Sequence, residues 1–164
     1  MLFRSTYYPA AFTAALLNQQ PMGFYHPATL VKDAQRHGVR VLPVDIAKSD
    51  WRCNIEQGAL RLGFNYSRGL RAEAAQLIVK ERARQPFLSI VDLTRRVPEL
   101  RKDEVRQLAS IGALNALEDT HRRDALWQSE LALQPVGPLF AELEPANGKS
   151  PLQAMTVAER LVAD

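Results

Sequence analysis

The chain has 164 residues, 46% hydrophobic and 24% charged, a balance that excludes wholesale disorder and fits a soluble globular fold. No apolar run approaches the roughly 20 residues needed to cross a bilayer, and the opening MLFRSTYYPAAF lacks the apolar stretch of a secretory signal. A single cysteine, Cys53, excludes a disulfide framework and points to a reducing cytoplasm. The net charge of +3 is unevenly spread. Residues 1–59 hold six basic and four acidic side chains, residues 60–106 eleven and six, and residues 107–164 four and eight. Nine of the eleven basic residues in the middle block are Arg, whose planar fork suits phosphate. The plain alternative is a solvated helical face of mixed charge.

In chain order, Pro9 and the spacing of Phe12, Ala15 and Leu16 predict a helix over 9–20 that Pro21 ends. Residues 21–26 read as a connector with aromatic anchors. A second helix is predicted over 27–37, with Pro27 in its first turn and Gly38 as a left-handed cap. Alternation over 39–43 predicts a short strand, and 51–64 holds two extended candidates about Gly58, a hairpin. Helices follow over 71–84, over 90–97 behind the N-cap Ser89, over 102–111 before Gly112, and over 121–133. Residues 134–151, with four prolines and two glycines, read as a linker. Thr156 and Glu159 form a capping box that opens a last helix. That helix, capped and then cut at Asp164, and a first helix so close to Met1, predict that both ends are cuts through a larger protein. The expected fold is mainly α with a small β element and a tandem helix-hairpin-helix lobe.

The richest segment is FNYSRGLRAEAAQLIV, residues 64–79. A turn with one glycine, Gly69, lies between Tyr66 and Leu70 and opens into a helix carrying Ala74, Ala75 and Ile78. This is the pattern of a helix-hairpin-helix element. Gly69 admits a close partner, the following helix start presents N–H groups to a phosphate oxygen, and Arg61, Arg68 and Arg71 surround the turn. Such contacts hold a nucleic-acid backbone without reading bases. The alternative is an ordinary glycine turn. A second unit over 89–114 has the same outline, with Arg95, Arg96, Arg101 and Lys102 at its turn; its alternative is a packing partner for the first. Together they are expected to form one basic lobe about a pseudo-twofold.

Catalytic and metal-binding patterns are missing. Cys53 has no base near it in sequence, His26, His37 and His121 lack ligand spacing, and no phosphate-binding or dinucleotide-binding glycine loop occurs. Asp103-Glu104 and Glu118-Asp119 read as helix-end charges. Trp51, Trp127 and Tyr66 read as core residues. No catalytic residue and no metal ligand is assigned.

YPAAFTAALLN at 8–18 and QPMGFY at 20–25 closely resemble bacterial family C DNA polymerases, in the error-prone branch related to the DNA polymerase III alpha subunit. The resemblance continues through PATLVKDAQRHG at 27–38, LRLG at 60–63, Arg68-Gly69-Leu70, Pro86-Phe87, Gly112 to Leu114, Ser150 to Leu152, and Met155 to Asp164. It departs at His26, Asn65 and Ser67. The resemblance implies the end of a fingers region over 1–59, a tandem helix-hairpin-helix domain over 60–118, and a further helix, linker and start of a following region over 119–164. It also implies that Arg61, Arg68, Gly69, Leu70, Arg71, Arg95, Arg96, Arg101 and Lys102 face the backbone of double-stranded DNA. The polymerase adds nucleotides with Mg²⁺ held by palm aspartates that lie upstream of the matched region. The chain alone is therefore expected to be inactive, to carry no cofactor, and to act on duplex DNA beside the remaining polymerase domains, in error-prone synthesis and translesion repair. Two other readings stand beside this one: a free-standing helix-hairpin-helix DNA-binding module, and a non-catalytic interaction protein.

Overall fold

A computed structural model describes residues 8–20, 26–117 and 122–132. The connector over 21–25, the linker after residue 133 and the helix expected from Thr156 lie outside the described residues. Helix α1 (Pro9–Asn18) and helix α2 (Pro27–Arg36) each begin with the proline that the sequence places there, where a missing N–H costs nothing. His26 caps α2, its Nδ1 accepting a hydrogen bond from the Ala28 amide at 3.2 Å. Gly38, at φ +80°, lies just past the end of α2.

Three short strands follow: β1 (Val41–Leu42), β2 (Asn54–Glu56) and β3 (Ala59–Arg61), in the order β1-β3-β2. The hairpin expected about Gly58 is β2 and β3, joined by Gln57 at φ 50° and Gly58 at φ 78°. Two successive left-handed residues make the tight turn that suits the twist of paired strands. Strand β1 pairs in parallel with β3, Val41 beside Leu60. Residues 59 and 60, between which the sequence reading divides the chain, are neighbours in β3.

A short 3-10 turn (Phe64–Tyr66) leads from the sheet into four helices: α3 (Ala72–Arg84), α4 (Ile90–Arg96), α5 (Lys102–Ser110) and α6 (Arg122–Ala132). Ser89 caps α4 as expected, its hydroxyl accepting from the Asp92 amide at 3.1 Å. The larger core gathers Phe64, Leu70, Ile78, Ile90, Leu93, Val105, Leu108 and Leu114. A smaller one gathers Leu17, Ala34, Cys53 and Leu60 between α1, α2 and the sheet, and Leu62 packs against both. Among the described residues, no helix is long and apolar enough to cross a membrane.

Two side chains fasten α1 to the rest. Asn18 donates from Nδ2 to the Cys53 carbonyl at 2.8 Å and accepts at Oδ1 from the Cys53 amide at 2.8 Å. The Tyr66 hydroxyl donates to the Leu17 carbonyl at 2.7 Å. Burial of that phenol pushes its pKa up to about 12, so it stays protonated as a donor.

Gly63 joins the sheet to the 3-10 turn. A Cβ there would lie 2.4 Å from the Arg52 carbonyl carbon and 2.6 Å from the Trp51 carbonyl oxygen. Both are backbone atoms that cannot swing aside. Gly63→Ala is therefore expected to cost about 1–3 kcal/mol of unfolding free energy in urea; a loss below about 0.5 kcal/mol would contradict this packing.

Candidate nucleic-acid interface

The first hairpin is residues 67–70. The Leu70 amide donates to the Ser67 carbonyl at 3.2 Å, and the Leu70 side chain is buried in the larger core. Gly69 has φ +87°, and a Cβ there would meet nothing within 4 Å. The glycine is thus required by backbone conformation rather than by space. Arg68 and Gly69 are exposed at the tip. The Gly69 amide has no hydrogen-bond partner among the described residues.

The second hairpin repeats the first in outline. The Leu100 amide donates to the Val97 carbonyl at 3.1 Å, and Leu100 is buried as Leu70 is. Arg71 and Arg101 then cap α3 and α5 with nearly the same backbone, φ −74° and ψ 147° against φ −77° and ψ 155°. The tips differ. Where the first presents Arg68 and Gly69, the second presents Pro98 and Glu99. Pro98 stands in the place of Arg68, and Glu99 stands in the place of Gly69; its amide also has no partner among the described residues, but its carboxylate repels a phosphate.

Glu104 joins the two units. Its side chain is 1% exposed. Its carboxylate accepts from the Arg71 amide at 3.0 Å, from Arg71 Nε at 2.9 Å and Nη2 at 3.0 Å, and from the Arg101 amide at 2.9 Å. One carboxylate thereby caps the starts of both hairpin helices and pairs with a guanidinium in two-pronged fashion. Burial pushes its pKa up, but the Arg71 guanidinium and the two backbone amides outweigh burial and hold it at about 2. Sequence reading took Glu104 for a helix-end charge. Its position three residues after the Arg101 cap is the signal that could have found it.

The structure sorts the expected DNA-facing residues into two groups. Arg61 is turned inward: Nε donates to Glu56 Oε2 at 2.8 Å and Nη1 to the Pro43 carbonyl at 2.8 Å, and the residue is buried. From the central strand it ties together the end of β2 and the residue after β1. Arg71 is committed to Glu104 and to the Glu99 carbonyl at 2.6 Å. Arg96 binds the Glu81 and Gln85 carbonyls and Asp92, and lies 4.6 Å over the Phe87 ring. Leu70 anchors the turn from below. Arg68, Arg95, Arg101 and Lys102 are exposed and form no salt bridge among the described residues. Of these four, Arg68 alone lies within the first hairpin, beside Gly69. Among the described residues, no group of three or more His, Cys, Asp or Glu side chains is placed to hold a metal ion.

The family model of the helix-hairpin-helix motif matches residues 38–125, over half of the chain. The chain belongs to that family. It is also similar to the error-prone DNA polymerase of Alkalilimnicola ehrlichii, with 45% identity over 161 residues that cover 95% of this chain and 15% of that protein. The error-prone DNA polymerases of Anaeromyxobacter sp. strain K and Burkholderia pseudomallei are 44% and 45% identical, over 96% and 95% of this chain. The chain spans about 15% of the length of these curated relatives.

Glu104→Ala strands a guanidinium and two amides, and is expected to cost about 3–5 kcal/mol of stability. The acid dependence follows from the depressed pKa. The carboxylate contributes fully above its ordinary value of 4.5, and the contribution is lost as pH falls toward about 2. Glu104→Gln should therefore show a flatter loss of stability than the unaltered chain across that window. Parallel stability curves in acid would contradict the assignment.

Proposed function

We propose that this chain holds the sugar-phosphate backbone of duplex DNA through its first hairpin, without reading bases, as the helix-hairpin-helix part of an error-prone DNA polymerase. The observation that carries this reading is the tip at residues 68–69. An exposed glycine held at φ +87°, whose amide has no partner among the described residues, sits beside an exposed Arg. A backbone N–H and a guanidinium on adjacent exposed residues suit a phosphate oxygen. Contacts of this kind position a protein on DNA and carry no sequence information.

The second hairpin serves as the packing partner that fixes the first. Pro98 and Glu99 at its tip oppose phosphate binding, while Glu104 and Leu100 bind it to its neighbour. Arg95, Arg101 and Lys102 add positive potential that draws the duplex in.

The relatives bear the name of a DNA polymerase; for this chain we assign a supporting role in synthesis, including synthesis past damaged template. We assign the Mg²⁺ of such synthesis to parts of a polymerase outside this chain, and no step of nucleotide transfer to these side chains. The single buried cysteine supports a reducing, cytoplasmic setting.

Binding of the purified chain to duplex DNA is expected to weaken steeply with salt, with a log–log slope of about −0.9 per phosphate contacted. Arg68→Glu should weaken it by a similar factor on two duplexes of unrelated sequence. Unchanged affinity, or loss on one sequence alone, would overturn the hairpin assignment. The chain alone should add no nucleotide to a primed template.

A further inference from the structure

Of the three Arg residues that surround the first hairpin in sequence, Arg61 and Arg71 are consumed by Glu56 and Glu104. The fold brings the backbone of another cationic residue, Arg52, against Gly63, which precedes that hairpin. The antiparallel register that pairs Asn54 with Arg61 brings residue 52, two positions before Asn54, opposite Gly63. The absent Cβ of Gly63 lets the Trp51–Arg52 backbone lie against it, with Arg52 C only 2.4 Å from where that Cβ would be.

Two further bonds fix the segment. The Phe64 amide donates to the Asp50 carbonyl at 2.8 Å, and the Asn65 amide to the Trp51 carbonyl at 3.0 Å. The same 3-10 turn then bonds directly to the hairpin, the Ser67 amide donating to the Phe64 carbonyl at 2.8 Å. Arg52 is thus carried on the bend before β2, whose backbone is held against Gly63 and the 3-10 turn that leads into the first hairpin. Its side chain is exposed and makes no salt bridge among the described residues. The nearest acid in sequence, Asp50, is already engaged: Oδ1 accepts from Arg82 at 2.9 Å and Oδ2 from Asn54 at 2.9 Å.

We propose that Arg52 is a second phosphate contact of the first hairpin, holding a backbone phosphate of the same duplex beside the one at Gly69. The inference rests on the duplex-binding reading above. An Arg on a braced bend, with the neighbouring carboxylate already paired, keeps its full charge for a phosphodiester. Positive charge on a mobile surface side chain alone would give no such placement.

The test measures affinity of the whole chain for one duplex by fluorescence anisotropy over about 50–200 mM salt, with circular dichroism to confirm folding. Arg52→Ala is expected to make the log–log slope shallower by about 0.9, the loss of one phosphate contact, and Arg52→Lys to retain the slope. Arg40→Ala removes an equally exposed charge just before β1, at the opposite edge of the sheet, and should leave the slope unchanged. An Arg52→Ala slope equal to that of the unaltered chain, or an Arg40→Ala loss as large as that of Arg52→Ala, would overturn the proposal. If Arg68→Ala lowers the slope and Arg52→Ala does not, the hairpin reading stands and Arg52 is excluded. If the unaltered chain shows no salt-dependent binding, the hairpin reading falls and this inference with it.

Discussion

The buried carboxylate of Glu104 is the constraint on which the lobe depends. A carboxylate removed from water is tolerated only when its lone pairs are filled. Here two backbone amides and a two-pronged guanidinium fill them. The amides belong to the residues that cap α3 and α5, so the starts of both hairpin helices are fixed to one group. Moving either helix would leave charge buried without a partner. Arg71, in turn, reaches past Glu104 to the Glu99 carbonyl and binds the second turn to the first helix.

This arrangement decides which residues are left for a ligand. A guanidinium committed to a buried carboxylate gains little by turning to a phosphate, because it would leave the carboxylate unpaired. The basic character of residues 60–106 therefore overstates the charge available at the first hairpin. What remains at its tip is Arg68 and the Gly69 amide, to which we add Arg52 from the bend before β2 as a proposed contact. The residues that cap α3 and α5 match in backbone, but the tips differ: Gly69 is left-handed while Glu99 in its place is not, and Arg68 gives way to Pro98. On the proposed reading, one hairpin serves the ligand and the other supports it.

Local features of the fold were legible because their physics is local. Pro9, Pro27 and Ser89 start helices, Gly38 and Gly112 lie where helices stop, and Gly58 turns the β hairpin, each through its own backbone or side chain. Amphipathic spacing placed Ile78, Val105 and Leu108 in the core. Contacts between distant segments were not legible. The parallel pairing of β1 with β3, the Asn18–Cys53 clasp and the inward turn of Arg61 each join residues with no common sequence signal. Glu104 does lie in the first turn of α5, as its sequence position suggests, but its burial and its pairing with Arg71 were not legible because Arg71 is far away in the chain. Counting Arg residues near Gly69 identified a basic hairpin; only the fold separates the cations spent on structure from those left free. The same limit hid Arg52, which lies well before Gly69 in the chain and comes near the hairpin only through the sheet.

The central claim is that the first hairpin, and not the second, meets the DNA backbone. Backbone amide chemical shifts followed by NMR during titration with duplex DNA test it directly. The account predicts that the amides of Arg68, Gly69 and Leu70 move most, and move alike for two duplexes of unrelated sequence, while those of Val97 to Lys102 hold nearly still. Dominant shifts at Glu99 to Lys102, with Gly69 unmoved, would contradict it.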